Sequence, residues 1–363
     1  MQRQRTKALI AAALAAIAAV AASSPGEASK ISAARKRSLR QLAGQRIVYG
    51  FDGTSAPQEL LDRIHNREAA GVIIYKRNIS SRDQLRGLDQ SLQNARRPHD
   101  PPVLITIDQE GGLVKRLDGA PHKSPAEIGQ INSKQVALHA GRATANNLRD
   151  VGVNVNLAPV VDVARRGSVM ERLGRAYSRD KDVVTRMAGA FARGMRERGV
   201  AAAAKHFPGL GAAQLDEDQN MNRIAFTQSQ LRQTDEVPYK SLAKRHVALV
   251  MVSTAEYPAF ASGPALFSHR ISTRELRRYA KFHGVSISDD LETPVGARYG
   301  SPGQRAVKSA RAGVDLLLFA QSTSAGDEAA QALVDAVHRG ELTRHDLERS
   351  VKRITALRKS LGP

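Results

Sequence analysis

Apolar positions along the chain cluster in eight short runs, each ending in Gly, Pro or a polar residue. They are RIVYGFDG (46–53), GVIIYKRN (71–78), PVLITIDQEGG (102–112), GVNVNLAPVVDV (152–163), VAAAAKHFPG (200–209), VALVMVSTAEYP (247–258), GVSISDD (284–290) and GVDLLLFA (313–320). The runs are nearly continuous rather than alternating, which predicts parallel strands covered on both faces. Between them the apolar positions take helical spacing. PQELLDRIHNREAAG (57–71) gathers Leu60, Leu61, Ile64 and Ala69 on one side and closes on Gly71; 133–152 and 181–199 have the same character. At the end of the chain Leu347, Val351, Ile354 and Leu357 predict a helix over 343–360, with Thr343 as its N-cap. Eight strand–helix alternations in about 280 residues predict an α/β chain, a single (β/α)8 TIM barrel, in preference to an open doubly wound sheet.

The first residues follow a different pattern. MQRQRTK carries three cations, residues 8–22 form an uninterrupted apolar run, and SSPGEAS supplies small residues. That order predicts a secretory signal over 1–28, since the run is short for a bilayer span. An uncleaved anchor is the competing reading. Residues 29–44 are basic and weakly patterned and read as a linker into a first helix, and 45–363 as the barrel.

Charge and composition narrow the partners. The net charge is +20, and loss of residues 1–28 removes three cations and one carboxylate, leaving +18. An exported chain of that charge is drawn to anionic polymers such as those of a cell wall. Aromatic content is 4% with no Trp, so no base-stacking platform is visible and no nucleic-acid partner is expected. There is no Cys, which excludes disulfides and thiolate metal sites. No His or carboxylate grouping has metal spacing, and GARYGSPGQR (296–305) lacks the ending of a phosphate loop.

In a barrel the chemistry gathers at the C-terminal ends of the strands. There the sequence offers Asp108, Gln109 and Glu110; Asp162, with Glu171, Arg172 and Arg175 beyond; Lys205 and His206; Thr254 and Glu256; and Asp289 with Asp290. Carboxylates from different strands with cations between them suit glycoside hydrolysis, and equally suit structural ion pairs.

The ordered motifs ITIDQEGG, APVVDV, GRAYS, KHFPGLG and ISDDL give the chain a resemblance to glycoside hydrolase family 3, over roughly residues 40–320. It looks most like the bacterial β-N-acetylhexosaminidase branch. The resemblance implies that Asp289 is the nucleophile of a retaining mechanism. It also implies that Asp108, Arg116, Arg175, Lys205 and His206 bind the sugar. Lys205 and Arg175 are expected to keep Asp289 ionised. Asp290, pointing the other way along its strand, is expected to be a support.

One stretch departs from the pattern. In that branch the loop reads Lys-His-Phe-Pro-Gly-His-Gly and an Asp-x-His pair follows, whose His is the general acid/base. Here Leu210 replaces the second His of the turn, Asp216 matches the Asp of the pair, and Asp218 stands where the catalytic His is expected. Three readings are open: a carboxylate of the Asp216–Glu217–Asp218 group is the acid/base, the members raising one another's pKa; Glu256 or Glu292 supplies the acid; or the site binds sugar with little turnover. The expectation is an exported exo-glycosidase removing a terminal β-linked sugar, N-acetylglucosamine first. Asp289, Asp216 and Asp218 are its candidate catalytic residues. It needs no cofactor and no metal, acts as a monomer on carbohydrate substrate, and has no membrane span once the signal is cleaved. A β-glucosidase-like enzyme or a carbohydrate-binding protein on the same scaffold are the rivals.

Overall fold

The computed structural model describes residues 37–362, so the signal expected over 1–28 and the first half of the linker expected over 29–44 lie outside the described residues. Eight parallel strands carry the fold: β1 (Ile47–Tyr49), β2 (Gly71–Ile74), β3 (Leu104–Ile107), β6 (Val155–Asn156), β7 (Ala201–Phe207), β8 (Leu249–Val252), β9 (Val285–Ser288) and β10 (Leu317–Phe319). Each pairs with the next, β10 returns to β1, and Ile287 bridges Leu316 to close the ring. The (β/α)8 barrel read from the sequence is the observed architecture.

Near-continuous apolar runs are required because every strand has two dry faces. Val48, Ile73, Leu104, Leu157, Ala203, Met251, Ile287 and Leu318 fill the barrel interior. Their neighbours Tyr49, Val72, Ile105, Ala204 and Val250 face the surrounding helices. Ile354 and Leu357 of the last helix, Arg344–Ser360, join the interior cluster and plug the N-terminal end of the barrel. Thr343 caps that helix, its hydroxyl accepting from the Asp346 N–H.

The structure corrects two boundaries. The first helix of the barrel ends at His65, and Gly71 opens β2, where a Cβ would collide with the Leu104 carbonyl. The run 102–112 is not one strand. It stops at Ile107, and β4 (Gln109–Gly111) turns back on β5 (Val114–Lys115) as an antiparallel hairpin. Gly111 makes the turn at φ +104°, backed closely by Lys123 and Pro121. Among the described residues no helix is long and apolar enough to cross a membrane.

Candidate active site

The hairpin brings Glu110 into the barrel mouth beside Asp108, and this fixes a buried charge network. Lys205 Nζ lies 2.7 Å from Asp108 Oδ1 and 2.7 Å from Glu110 Oε1. Arg175, from the loop after β6, donates through Nε and Nη2 to the two oxygens of Glu110, both at 3.0 Å. Its remaining nitrogen, Nη1, donates to Glu217 Oε1 at 2.6 Å. Burial works against the charge on Glu110, but Arg175 and Lys205 outweigh it and hold the group at about 2. Lys205 and Arg175 thus tie three carboxylates, Asp108, Glu110 and Glu217, into one network.

His206 stands next to Lys205 across a cis peptide, and both side chains are buried. Its Nδ1 donates to Asp162 Oδ2 at 2.8 Å, and its Nε2 lies 3.9 Å from Glu217 Oε1. Burial disfavours the imidazolium, yet Asp162 raises the pKa above its ordinary value. Asp162 Oδ1 also accepts the N–H groups of His206, at 3.2 Å, and of Leu210, at 2.7 Å. One carboxylate thus orients the histidine and pins the start of the loop that follows. Gly209, at φ +138° with Asp235 against it, admits no side chain, and its carbonyl accepts from the Tyr257 hydroxyl at 2.9 Å. Leu210 is fully buried in the main core, so the residue that replaces the family's second His is a packing residue.

Asp289 follows β9 directly. Its Oδ1 accepts the Asp290 N–H at 3.0 Å, while Oδ2 is buried without a protein partner. Lys205 and Arg175 were expected to depress its pKa. Instead burial dominates and pushes it up to about 6, with His206 the strongest opposing charge and Lys205 a weaker one; Arg175 is spent on Glu110 and Glu217. Asp290 turns away and accepts the N–H groups of Glu292, at 2.9 Å, and Ala320, at 3.1 Å, tying the loop to the end of β10.

The three acidic loop residues have separate environments. Glu217 is buried, and Arg175 with His206 overcomes its burial and lowers its pKa. Asp216 is exposed, and its side chain accepts the Asp218 N–H at 2.9 Å. Asp218 is exposed at the cleft mouth, yet it is pushed up to about 7 by the cleft walls that displace part of its water, then by Asp289, Glu217 and Asp216. The mutual elevation expected from the sequence is met at Asp218, while Glu217 is moved in the opposite direction. Glu292 accepts from the Ser322 hydroxyl at 2.9 Å and from two backbone N–H groups, and Glu256 accepts from the Tyr299 hydroxyl at 3.3 Å. Both are engaged in structural contacts.

Arg116 is half-buried, with Nη2 3.8 Å from Asp108 Oδ2 and its guanidinium 5.3 Å from the Tyr75 ring centre. Tyr75, at the end of β2, was not singled out in the sequence. Its pKa is raised well above the usual value by burial and then by Asp108 and Asp290, which keeps the hydroxyl protonated as a donor. Glu110 and Asp162 were visible as strand-end acids without an assigned role, and Glu217 only as one member of the candidate acid/base group; their partners Arg175 and His206 are brought to them by the fold. Among the described residues no group of three His, Asp or Glu side chains is placed to hold a metal ion. An unpartnered buried carboxylate oxygen, an adjacent protonatable carboxyl, and a rim of fixed charges make a site for acid–base and nucleophilic chemistry on a hydroxyl-rich ligand.

The sequence matches the Glycosyl hydrolase family 3 N terminal domain over residues 37–357. It is 36% identical over 328 residues to an uncharacterized secreted glycosyl hydrolase of Arthroderma benhamiae, covering 88% of this chain and 93% of that one. It is 34% identical over 290 residues to a beta-hexosaminidase of Pseudomonas aeruginosa, covering 79% and 86%. Its fold superposes on a family 3 beta-N-acetylglucosaminidase of Paenibacillus with a TM-score of 0.86 at 29% identity, covering 90% of this chain and 63% of that one. A beta-N-acetylhexosaminidase of Beutenbergia cavernae gives 0.81 at 27%, covering 89% and 99%.

Proposed function

The chain belongs to glycosyl hydrolase family 3 and is a glycosidase, and from that premise we propose that it removes a terminal β-linked N-acetylglucosamine with retention of configuration. The observation that carries this reading is Asp289: a buried carboxylate with one oxygen held by the Asp290 N–H and the other unpartnered. Asp289 Oδ2 attacks the anomeric carbon, and the C1–O bond to the leaving group breaks as an ester to Asp289 forms. Asp218, protonated at the start, gives its proton to the departing oxygen. In the second half it takes a proton from water, which attacks C1 and returns Asp289 as carboxylate. The raised pKa of Asp218 suits a donor near neutral pH. Glu217, held as an anion by Arg175, is unsuited to it. Asp216 steers Asp218 through its backbone N–H. Asp108, Arg116, Arg175, Lys205 and His206 receive the sugar hydroxyls and the acetamide; charged, directional groups of this kind reject a ligand that leaves them unpaired.

Export of the chain is supported by its apolar leader and by the Arthroderma benhamiae relative described as secreted. The test is hydrolysis of aryl β-N-acetylglucosaminide and aryl β-glucoside by wild type and Asp289→Asn, with the anomer of the first product read by NMR. Cleavage of the first substrate with retention, lost in the variant, supports the reading; cleavage of the glucoside alone, or inversion, overturns it.

A further inference from the structure

A second concavity lies on the far side of the barrel from Asp289, and its charge is overwhelmingly positive. It is a groove of about 1910 Å³ that runs down between the helices Lys134–Arg149 and Lys181–Glu197, past the openings of β7, β8 and β9, to the plugging helix Arg344–Ser360. Ten Lys or Arg side chains line it against one carboxylate, Glu197, and that carboxylate is already bound by Arg142 and Arg193. Lys244, Arg245, Lys281 and Lys352 are exposed and have no carboxylate within 4 Å among the described residues.

Helix dipoles explain only part of this. A cation in the last turn of a helix answers the partial negative charge there, which covers Arg196 and Lys244. It does not cover Lys134, at the start of its helix, or Lys352, in the middle of one. Unneutralised cations facing one another across a concave wall repel, and a folded chain keeps them at a cost that an anionic occupant relieves.

We infer that this groove binds a flexible polyanion whose charges are phosphodiesters on a sugar or polyol backbone. The observations favour that class over its rivals. Phe282, the one Phe, Tyr or Trp in the lining, is buried, so no such ring stands free there as a platform for bases. None of the exposed large apolar side chains, Leu113, Ile131, Leu173 and Leu215, lines the groove, so it has no anchor for a bilayer. The concave shape suits a chain that can follow it. The site is independent of the reaction assigned to Asp289: a polymer bound there keeps the enzyme on an anionic matrix while the opposite mouth remains open.

The experiment is fluorescence anisotropy with labelled poly(glycerol phosphate), using the full-length protein after export. A variant reversing Lys244, Arg245, Lys281 and Lys352 to Glu is compared with a control reversing four exposed cations outside the groove, Lys76, Arg270, Lys308 and Arg311. Wild type is expected to bind, with affinity falling steeply as salt rises. The groove variant should lose at least tenfold in affinity and about 3 in the log–log salt slope, by counterion release at four sites. The control should lose less than threefold, and all three proteins should hydrolyse the aryl substrate equally. Equal losses in control and groove variant overturn the site in favour of net charge alone. Absence of binding at 50 mM salt overturns it outright. Tighter binding to duplex DNA of equal charge, or to anionic vesicles, overturns the choice of partner.

Discussion

Arg175 and Glu217 form a buried ion pair, Nη1 to Oε1 at 2.6 Å, that joins the loop after β6 to the acidic loop after β7. Because Nε and Nη2 of the same guanidinium hold Glu110, the acidic loop is docked on a fork that is already fixed to the hairpin after β3. Arg175→Ala leaves two buried carboxylates without their main partner. The expected loss is about 3–5 kcal/mol of stability, read in urea unfolding. Arg175→Lys should recover only part of it, since one ammonium cannot span both acids.

Asp289→Asn should lower kcat on aryl β-N-acetylglucosaminide by about 10³-fold or more while leaving sugar binding measurable by calorimetry. Intact mass of the quenched wild-type reaction should show a glycosyl adduct that the variant lacks. An adduct persisting in Asp289→Asn would place the nucleophile elsewhere.

Asp218→Ala separates acid from nucleophile. On a disaccharide, whose leaving group needs a proton, the loss should be about 10²–10⁴-fold. On a nitrophenyl glycoside the first step should be little changed, and added azide should restore turnover. The wild-type pH profile should be a narrow bell: rate rises as Asp289 ionises near 6 and falls as Asp218 loses its proton near 7. The two limbs belong to the coupled pair, so Asp218→Asn should remove the alkaline limb and move the acid limb downward, because a like charge has gone.

Asp162→Asn acts through other residues. It removes the anion that raises the His206 pKa and weakens the hold on the Leu210 N–H. His206 should titrate lower by NMR, and kcat should fall with KM rising together. Unchanged titration of His206 would reduce Asp162 to a packing role.

Stability should decline with rising pH across the neutral range. Asp89, Asp235 and Glu236 are buried and pushed up to about 8, 7 and 8, in each case chiefly by burial. Above their ordinary range near 4 the unfolded chain ionises them while the folded chain does not, so stability is full below pH 4 for these groups and is lost up to pH 8. Asp89→Asn with Glu236→Gln should flatten that slope in thermal melts. Glu110, held low by its cations, acts in the opposite direction only towards pH 2.

The barrel was legible because each strand is dry on both faces, and continuous apolar runs follow from that. Asp289, Lys205 and His206 were legible because they sit where such runs end. The hairpin after β3 was not, since DQEGG reads as a continuation of its strand until Gly111 and Gly112 turn it. The ranking of the acidic loop residues was also hidden. Asp216, Glu217 and Asp218 are adjacent in the chain, and only the position of Arg175 makes one a fixed anion and leaves another protonatable.

The acidic loop is fastened at both ends and, between them, by Glu217 on Arg175. Asp162 takes the Leu210 N–H, Val169 donates to the Ala213 carbonyl, and Asn222 and Glu256 secure the far side. Residues 214–216 and 218–219 between those ties are exposed. Substitutions there perturb little of the core, so the proposed proton donor sits in a replaceable insert of a fixed frame. A lineage can exchange histidine for carboxylate, and with it the leaving groups it accepts, while every strand stays where it is.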